Sequence, residues 1–534
     1  MRKKQDLSLQ ERCIEAMLKP NWRLPEELSD MEREAIVFLS KDLHNKILNY
    51  SLSTRKLTPK VTTMLLRSSY LDSFVVPREL AANFQSNCFE CLRHTPNTIR
   101  TLSLRGCVQL LSDQLVSISK FCSNFVEELD VSYNPKLIGS EIEDCCKNMT
   151  KLKVLVCERL LKVKRMKICS SSLRTLISRV NSNMEEISFS GTSSLTSVDF
   201  RGCASLKKIL LDEETQLSSL QEICFAGCLS LESLDFFRNV PKHSLQKINF
   251  WNATKLKNED FSLIMEKFNN LVELYLTSTN IDESSLQKIS AVETLKTLCI
   301  NSCPNLSEYI ATKIVTTCLK MEVIRLPECL QDDSAIFISE NCPNLDTVDL
   351  SLMPRLSEQS ALAFISNCER LRWLSLVDIK LSQNLLDPIS DLRRPVLNEL
   401  NVSFCGVRDG LLINFVNIFQ NLLNLDLSGN EKLTDLSTKV MFSTLKKLNW
   451  ISLSGCSKIT FESLLCAKEN KMTIMHIDLF GLKLLSLQQV LTFVSKLKNL
   501  KELNVEPSIK DRVIEETRKQ GRFLKITCSS ADDI

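Results

Sequence analysis

Leu422-Leu-Asn-Leu425-Asp-Leu427 opens a phrase that recurs down the chain: apolar, two free positions, apolar, one free position, apolar. Leu345-Asp-Thr-Val348-Asp-Leu350 and Leu448-Asn-Trp-Ile451-Ser-Leu453 repeat it. Starts fall at 99, 126, 152, 173, 195, 220, 245, 271, 295, 321, 345, 371, 397, 422, 448, 474 and 500, on average about every 25 residues. These 17 units hold 51 sites at +0, +3 and +5, and Ser178 alone is neither aliphatic, aromatic, Met nor Cys. Chance does not fill so many marked sites in a chain that is 44% apolar.

Three inward positions at this spacing predict a strand over the first six residues of each unit, and strands repeated at a fixed period stack side by side. Between them lie segments such as Ser357-Glu-Gln-Ser-Ala-Leu362-Ala-Phe364-Ile365, with helical periodicity and plausible caps. The expected fold is an α/β leucine-rich repeat solenoid, a horseshoe with a parallel inner sheet and helices outside, over residues 99–505. Glycine is scarce, 11 of 534 residues, about 2% against a usual 7%. Six of the glycines (Gly106, Gly202, Gly227, Gly429, Gly455, Gly481) stand at +7, where each strand turns away, and none forms a phosphate-cradling loop. Position +8 is often Cys, Asn or Thr, as at Cys107, Asn134, Asn181, Cys203, Cys405 and Cys456. A second cysteine precedes several starts, as Cys318, Cys342 and Cys368 do. Small buried thiols or amides there are expected to satisfy neighbouring backbone groups in a ladder. The units starting at 152 and 173 have 21 and 22 residues, too few for an outer helix, and loop or 3₁₀ turn is expected in its place.

Around the array, residues 41–98 are expected to form a helical linker and amino-terminal cap. Helices are predicted at 41–50 and 59–67, a degenerate repeat at Leu71-Asp-Ser-Phe74-Val-Val76, then a helix to about Arg93. Residues 506–534 form the closing cap and tail, with a helix over 512–520 and a strand over 523–527. Terminal repeats shield an exposed core end and are atypical.

A net charge of +3 and a pI near 7.9 give no electrostatic case for nucleic acid or an anionic membrane. The first residues, Met1-Arg-Lys-Lys-Gln-Asp, lead into no apolar signal core, and no window has 18 uncharged apolar residues. With no export, the 22 cysteines are expected to be reduced thiols in the cytoplasm or nucleus. Catalysis finds no support. His44, His94, His243 and His476 are scattered, without a metalloprotease pair, nucleophile elbow or Walker loop. Cys88-Phe-Glu-Cys91 with His94 is half a zinc site, and no second pair completes it. No cofactor or metal is expected. The surface that invites binding is the inner sheet, where +2, +4 and +6 point away from the core. Trp251, Tyr275, Arg325, Trp373 and Trp450 fall there, with Phe480 and His476. Trp, Tyr and Arg are the residues that supply hot spots for a protein partner. They equally suit a structural role, lying flat on neighbouring side chains.

Residues 1–40 carry a second kind of signal. Ser8-Leu-Gln-Glu11 is a capping box, and Leu9, Cys13 and Met17 line one face of a short helix closed by Lys19-Pro20. The stretch from Ser8 to Met17 resembles the BC box, the Elongin-C-binding helix of cullin-RING ubiquitin ligase receptors. Leu24-Pro25-x-x-Leu28 then resembles the start of a Cullin-2 box, though Glu32 stands where that box has an apolar residue. The same Leu-Pro stretch could open an F-box, which binds Skp1. Two boxes ahead of cysteine-bearing leucine-rich repeats are similar to the Zyg-eleven/Zer family of Cullin-2 substrate receptors. The resemblance implies that Ser8, Leu9, Cys13 and Met17 meet Elongin-C (with Elongin-B). It implies equally that Leu24, Pro25 and Leu28 meet Cullin-2 and its RING subunit. A non-enzymatic substrate receptor is therefore expected, with a small all-helical adaptor-binding segment at 1–40 and a protein substrate on the repeats. Members of that family continue into an armadillo-type domain that reads substrate N-termini. About 30 residues follow the last repeat here, so the inner sheet is the expected place of substrate capture. A plain repeat scaffold or inhibitor without a ligase is the other reading.

Overall fold

The structure is a computed structural model. It describes residues 41–53, 57–66, 72–94, 97–389, 396–467 and 472–528. Ser8, Leu9, Cys13, Met17, Leu24, Pro25 and Leu28 lie outside the described residues. The chain divides into two compact units, Met1–Ile281 and Asp282–Ile534.

The first unit begins with the two expected cap helices, Lys41–Ser53 and Pro59–Leu66, and the degenerate repeat gives the strand Ser73–Val75. The helix expected to run to Arg93 is broken into a 3₁₀ turn Ala81–Asn83, one α-turn Ser86–Phe89 and a 3₁₀ turn Glu90–His94. Phe84 turns extended and sets its ring 4.8 Å from that of Phe89, so packing overrides helical propensity. Eight further strands follow, each three residues long and covering +2 to +4 of its unit, from Thr101–Ser103 to Glu273–Tyr275. All pair in parallel with no slip, so that Phe74, Leu102, Leu129, Leu155, Leu176, Val198, Ile223, Ile248 and Leu274 form one row. These strands are shorter than the six residues of the sequence phrase. The amide at +5 still reaches the carbonyl of the next strand, as Leu104 does to Asp130 and Phe200 to Cys224, and the chain then turns.

Residues at +0, +3 and +5 are buried throughout this unit. At +5, Phe200, Phe225 and Phe250 stack across successive repeats with centroids 5.9 and 5.7 Å apart. The exceptional Ser178 is fully buried and accepts a bond from Asn181 Nδ2 at 2.7 Å. At several units position +8 forms the expected ladder onto the +5 carbonyl of the preceding unit, whereas Thr279 donates to Leu276 of its own unit. Asn134 donates to Leu104 at 3.0 Å, Asn181 to Cys157 at 2.8 Å, and Cys203 to Ser178 at 2.9 Å. Burial pushes the thiol of Cys203 up to about 12, so it is a neutral donor.

The short units depart from expectation. A second parallel sheet of Arg165–Cys169, Glu186–Ser190 and Lys208–Leu211 stands there, in place of loop or 3₁₀ turn. Met166, Ile168, Ile187, Phe189 and Ile209 point into the core. A strand advances about 3.3 Å per residue against 1.5 Å for a helix, so fewer residues close the unit. The sheet packs against the helix Gly139–Asn148. A Cβ on Gly139 would lie 1.9 Å from the carbonyl oxygen of Arg165, which is why only glycine fits this junction.

The second unit holds ten parallel strands, Thr297–Cys299 to Lys525–Thr527, again unslipped, with Leu298, Ile324, Val348, Leu374, Leu400, Leu425, Ile451, Ile477, Leu503 and Ile526 as the central row. Outer helices such as Glu308–Thr317, Glu358–Asn367, Asp409–Ile418 and Asp435–Thr444 pack on the far side. Ser307, Ser357, Thr434, Thr460 and Ser486 cap five outer helices of the unit with their side chains. Carboxylates brace the next repeat. Asp332 accepts from the amide of Ser357, Asp409 from Thr434 and Asp435 from Thr460, at 2.8, 2.9 and 2.8 Å. The +8 ladder continues through Cys405, Asn430 and Cys456. Cys318, Cys342 and Cys368, ahead of the starts, form a second ladder onto earlier carbonyls. The closing helix, Pro507–Lys519, starts earlier than the expected 512 because Pro507 suits a first turn. The fold is thus an α/β leucine-rich repeat solenoid.

Candidate functional site

Helices and the outer strands cover one side of each sheet, leaving +2, +4 and +6 on an open face. Its upper margin is set by +7, which lies in the left-handed region in 15 of the 17 units. Glycine holds six of these positions, as the sequence suggests. Tyr133, Arg159, Val180, Asn252, Ser278, Ser302, Leu352, Asp378 and Phe404 hold the others, at φ between +51° and +66°. A bulky side chain in that region costs roughly 1–3 kcal/mol of strain, and the surrounding hydrogen-bond ladder holds it there.

On the first unit the open face carries a network of ion pairs. Arg105 at +6 bonds Glu158 at 2.7 Å and lies 3.5 Å from Asp130. Arg179 pairs with Asp199 at 2.7 Å and Glu158 at 3.8 Å, and Arg201 adds a contact to Asp199. The guanidinium groups of Arg78, Arg105 and Arg159 stand 4.8, 4.5 and 5.6 Å from the Tyr133 ring centre. Tyr275 donates to Glu273 at 2.8 Å beneath the Lys247 ammonium. Trp251 is 50% exposed, and Val75 on the first strand is exposed as well.

The second unit is arranged differently. Arg325 lies 3.7 Å from Asp349, whose carboxylate also accepts from the Ser351 amide. Trp373 is half-buried two strands further on, between Thr347 and Glu399 in register. Then comes a groove of about 540 Å³ with a mainly apolar lining. Leu352, Val377, Phe404 and Trp450 border it, and Asn401, Ser403, Asp426, Ser428, Ser452 and Asp478 form its polar floor. The Phe404 ring lies against Gly429, where a Cβ would come within 2.3 Å of it. Asp378, also on the rim, is answered by Lys380 at 2.8 Å.

Asp426 and Asp478 flank Ser452 in strand register. Asp426 accepts from the Ser428 amide at 2.9 Å and hydroxyl at 2.5 Å, and Ser428 shares a 2.7 Å bond with Ser452. Asp478 accepts from the Phe480 amide at 2.9 Å. Burial pushes the Asp426 carboxyl above the ordinary aspartate value, against the Ser428 bonds and with help from the charge of Asp478. Burial likewise raises Asp478, opposed by its bonds to Phe480, Asn504 and Ser452. Neither carboxylate forms an ion pair with a lysine or arginine among the described residues.

Of the residues singled out in the sequence, the structure brings Trp450 alone into this groove. Arg325 and Trp373 lie on earlier strands of the same unit, and Trp251 and Tyr275 belong to the first. Sequence reading passed over Asp426, Asp478, Leu352 and Phe404. The parity of +4 marks both aspartates as outward, but the lack of a facing arginine emerges only from strand register. Cys88 and Cys91 donate to the carbonyls of Leu57 and Pro59, and burial raises the Cys88 thiol to about 11. Among the described residues no three His, Cys, Asp or Glu converge as a metal site. No described helix is long and apolar enough to cross a membrane.

No protein-family model and no curated protein matches the chain. Several solved structures are similar to it over much of its length. A complex described as TLR13 with ssRNA13 overlaps 81% of this chain at 16% identity and TM-score 0.44; the match spans 59% of that chain. An internalin (inlF) of Listeria monocytogenes str. 4b F2365 overlaps 78% of this chain and 95% of its own, at 13% identity and TM-score 0.36. A yeast complex of Rad7 and Elc1 overlaps 99% of this chain and 100% of its own, at 13% identity and TM-score 0.33. The repeat assignment itself rests on this chain's own strands and registers.

Proposed function

We propose that this chain is the substrate-recognition subunit of a cullin-RING ubiquitin ligase of the Elongin-C/Cullin-2 type. Residues 1–40 recruit the adaptor and cullin, and the open sheet face holds a protein substrate while an associated RING subunit directs ubiquitin transfer. The observation that carries the reading is the pairing of two boxes, Ser8–Met17 and Leu24–Leu28, ahead of a long leucine-rich repeat array. A repeat surface with exposed aromatic and charged residues suits protein binding, and the chain itself performs no chemistry in this scheme. The test replaces Leu9 with Ser and Cys13 with Asp and measures whether Elongin-C co-purifies. Loss of Elongin-C with the repeats still folded is expected, and unchanged recovery overturns the proposal. Capture of Skp1 from the same lysate would instead assign the Leu-Pro stretch to an F-box.

A further inference from the structure

The groove on the second unit has a charge pattern that the remaining open face lacks. Aspartates at +4 recur on both units: Asp130, Asp199, Asp349, Asp426 and Asp478. Asp130 faces Arg105, Asp199 faces Arg179 and Arg201, and Asp349 faces Arg325. For Asp426 and Asp478 no arginine or lysine among the described residues takes that place. Both lie in the groove, and the strand between them carries Ser452 and Trp450. We propose that the groove binds an extended, arginine-bearing segment of a partner protein, with one guanidinium over Trp450 and between Asp426 and Asp478. The inference deepens the reading of the open face as the substrate-holding surface, on which it rests.

The geometry suits arginine. Neighbouring strands are about 4.8 Å apart, so each carboxylate stands one strand to either side of the Trp450 strand. A guanidinium is planar, stacks on an indole and donates N–H groups from opposite edges. An ammonium is a compact, strongly hydrated charge with no plane to lay on the indole. Leu352, Val377 and Phe404 supply an apolar wall for the aliphatic stem and neighbouring residues, and the strained turns at Leu352 and Phe404 hold two of those side chains over the trough.

The test uses the full-length protein and two fluorescein-labelled nonapeptide pools. Both have flanks randomised among Gly, Ala, Ser and Leu, with arginine fixed at the centre of one and citrulline, its neutral isostere, in the other. Fluorescence anisotropy should show the arginine pool binding about tenfold more tightly or better. The double variant Asp426→Asn/Asp478→Asn should erase the preference, while Asp349→Asn, outside the groove, should keep it. Equal binding of the two pools by the unsubstituted protein overturns the proposal, as does a preference that survives in the double variant. Circular dichroism checks that the double variant folds. If it does not, Trp450→Ala provides the second test, and an undiminished preference in that variant overturns the proposal. Elongin-C capture measured on the same preparations separates the two readings, since capture depends on residues 1–40 and peptide preference on the groove.

Discussion

The open faces of the two units carry the same kinds of residue in opposite states of completion. Between Thr101 and Arg201, Glu158 and the two +4 aspartates are each met by arginines, one of which, Arg105, also stands over Tyr133 beside Arg78 and Arg159. Between Asn401 and Asp478, two half-buried carboxylates have serines and backbone amides for company and no lysine or arginine partner among the described residues. The first arrangement stabilises the chain. The second weakens it at neutral pH, because half-buried charge is held near like charge without compensation. A face that answers its own charges has little left to offer a visitor, and one that leaves them open has the electrostatics of a binding surface.

The largest effect is expected from breaking the completed side. Glu158 is 9% exposed and shared by Arg105 and Arg179. Glu158→Ala leaves two guanidiniums on a half-buried face without a shared acceptor, and should destabilise the protein by about 2–3 kcal/mol. Urea unfolding followed by circular dichroism reads this as a lower midpoint; an unmoved midpoint would show that the network contributes nothing. A smaller loss is expected from Asp409→Ala in the second unit. Asp409 accepts from the Thr434 amide and hydroxyl and the Ser437 hydroxyl, so its removal leaves the Thr434 cap of the next helix unbraced at a cost of about 1–2 kcal/mol. Burial opposes the charge of Asp409, yet these bonds win and its carboxyl is held below the usual aspartate range. Its stabilisation is therefore present above the unfolded-state value and is lost as pH falls through the lower folded-state value. The variant should show a shallower loss of stability below about pH 4.

Much of this architecture was legible in the chain. All 17 repeat starts located a strand, and the +8 residues marked a ladder before its partner carbonyls were known. The outer sheet was not legible, because Met166-x-Ile168 and Ile187-x-Phe189 each offer two alternating apolar residues, too few to stand out. The six glycines at +7 announced a left-handed turn. Leu352 and Phe404 occupy the same turn without any local sign, since the ladder on either side imposes the conformation. Trp450 was marked by its residue type and parity. Asp426 and Asp478 had the parity but not the context, because a missing arginine is a property of the neighbouring repeat.

The smallest effect bears most directly on the contrast. Asn401 holds the same +4 position as Asp426 and accepts from Ser403 as Asp426 does from Ser428, at 2.9 Å from the amide and 2.7 Å from the hydroxyl. The chain thus already shows that an amide oxygen satisfies this turn as well as a carboxylate does. Asp426→Asn should then keep the local geometry and remove only the charge. Because the folded-state pKa of Asp426 is raised, the folded protein binds more protons than the unfolded chain between the unfolded-state value, about 3.9, and the higher folded one. Stability therefore falls as pH rises through that window and stays lower above it. The Asn variant escapes this loss and should be more stable at pH 7 by a few tenths of a kcal/mol to about 1 kcal/mol, with the gain vanishing at pH 3. Thermal midpoints at the two pH values measure it. A variant less stable at pH 7 would mean that the carboxylate serves the fold, and the contrast between the two faces would lose its second half. A gain at pH 7 would mean that a residue fully replaceable for folding is charged at a cost, as expected of a group that faces a partner.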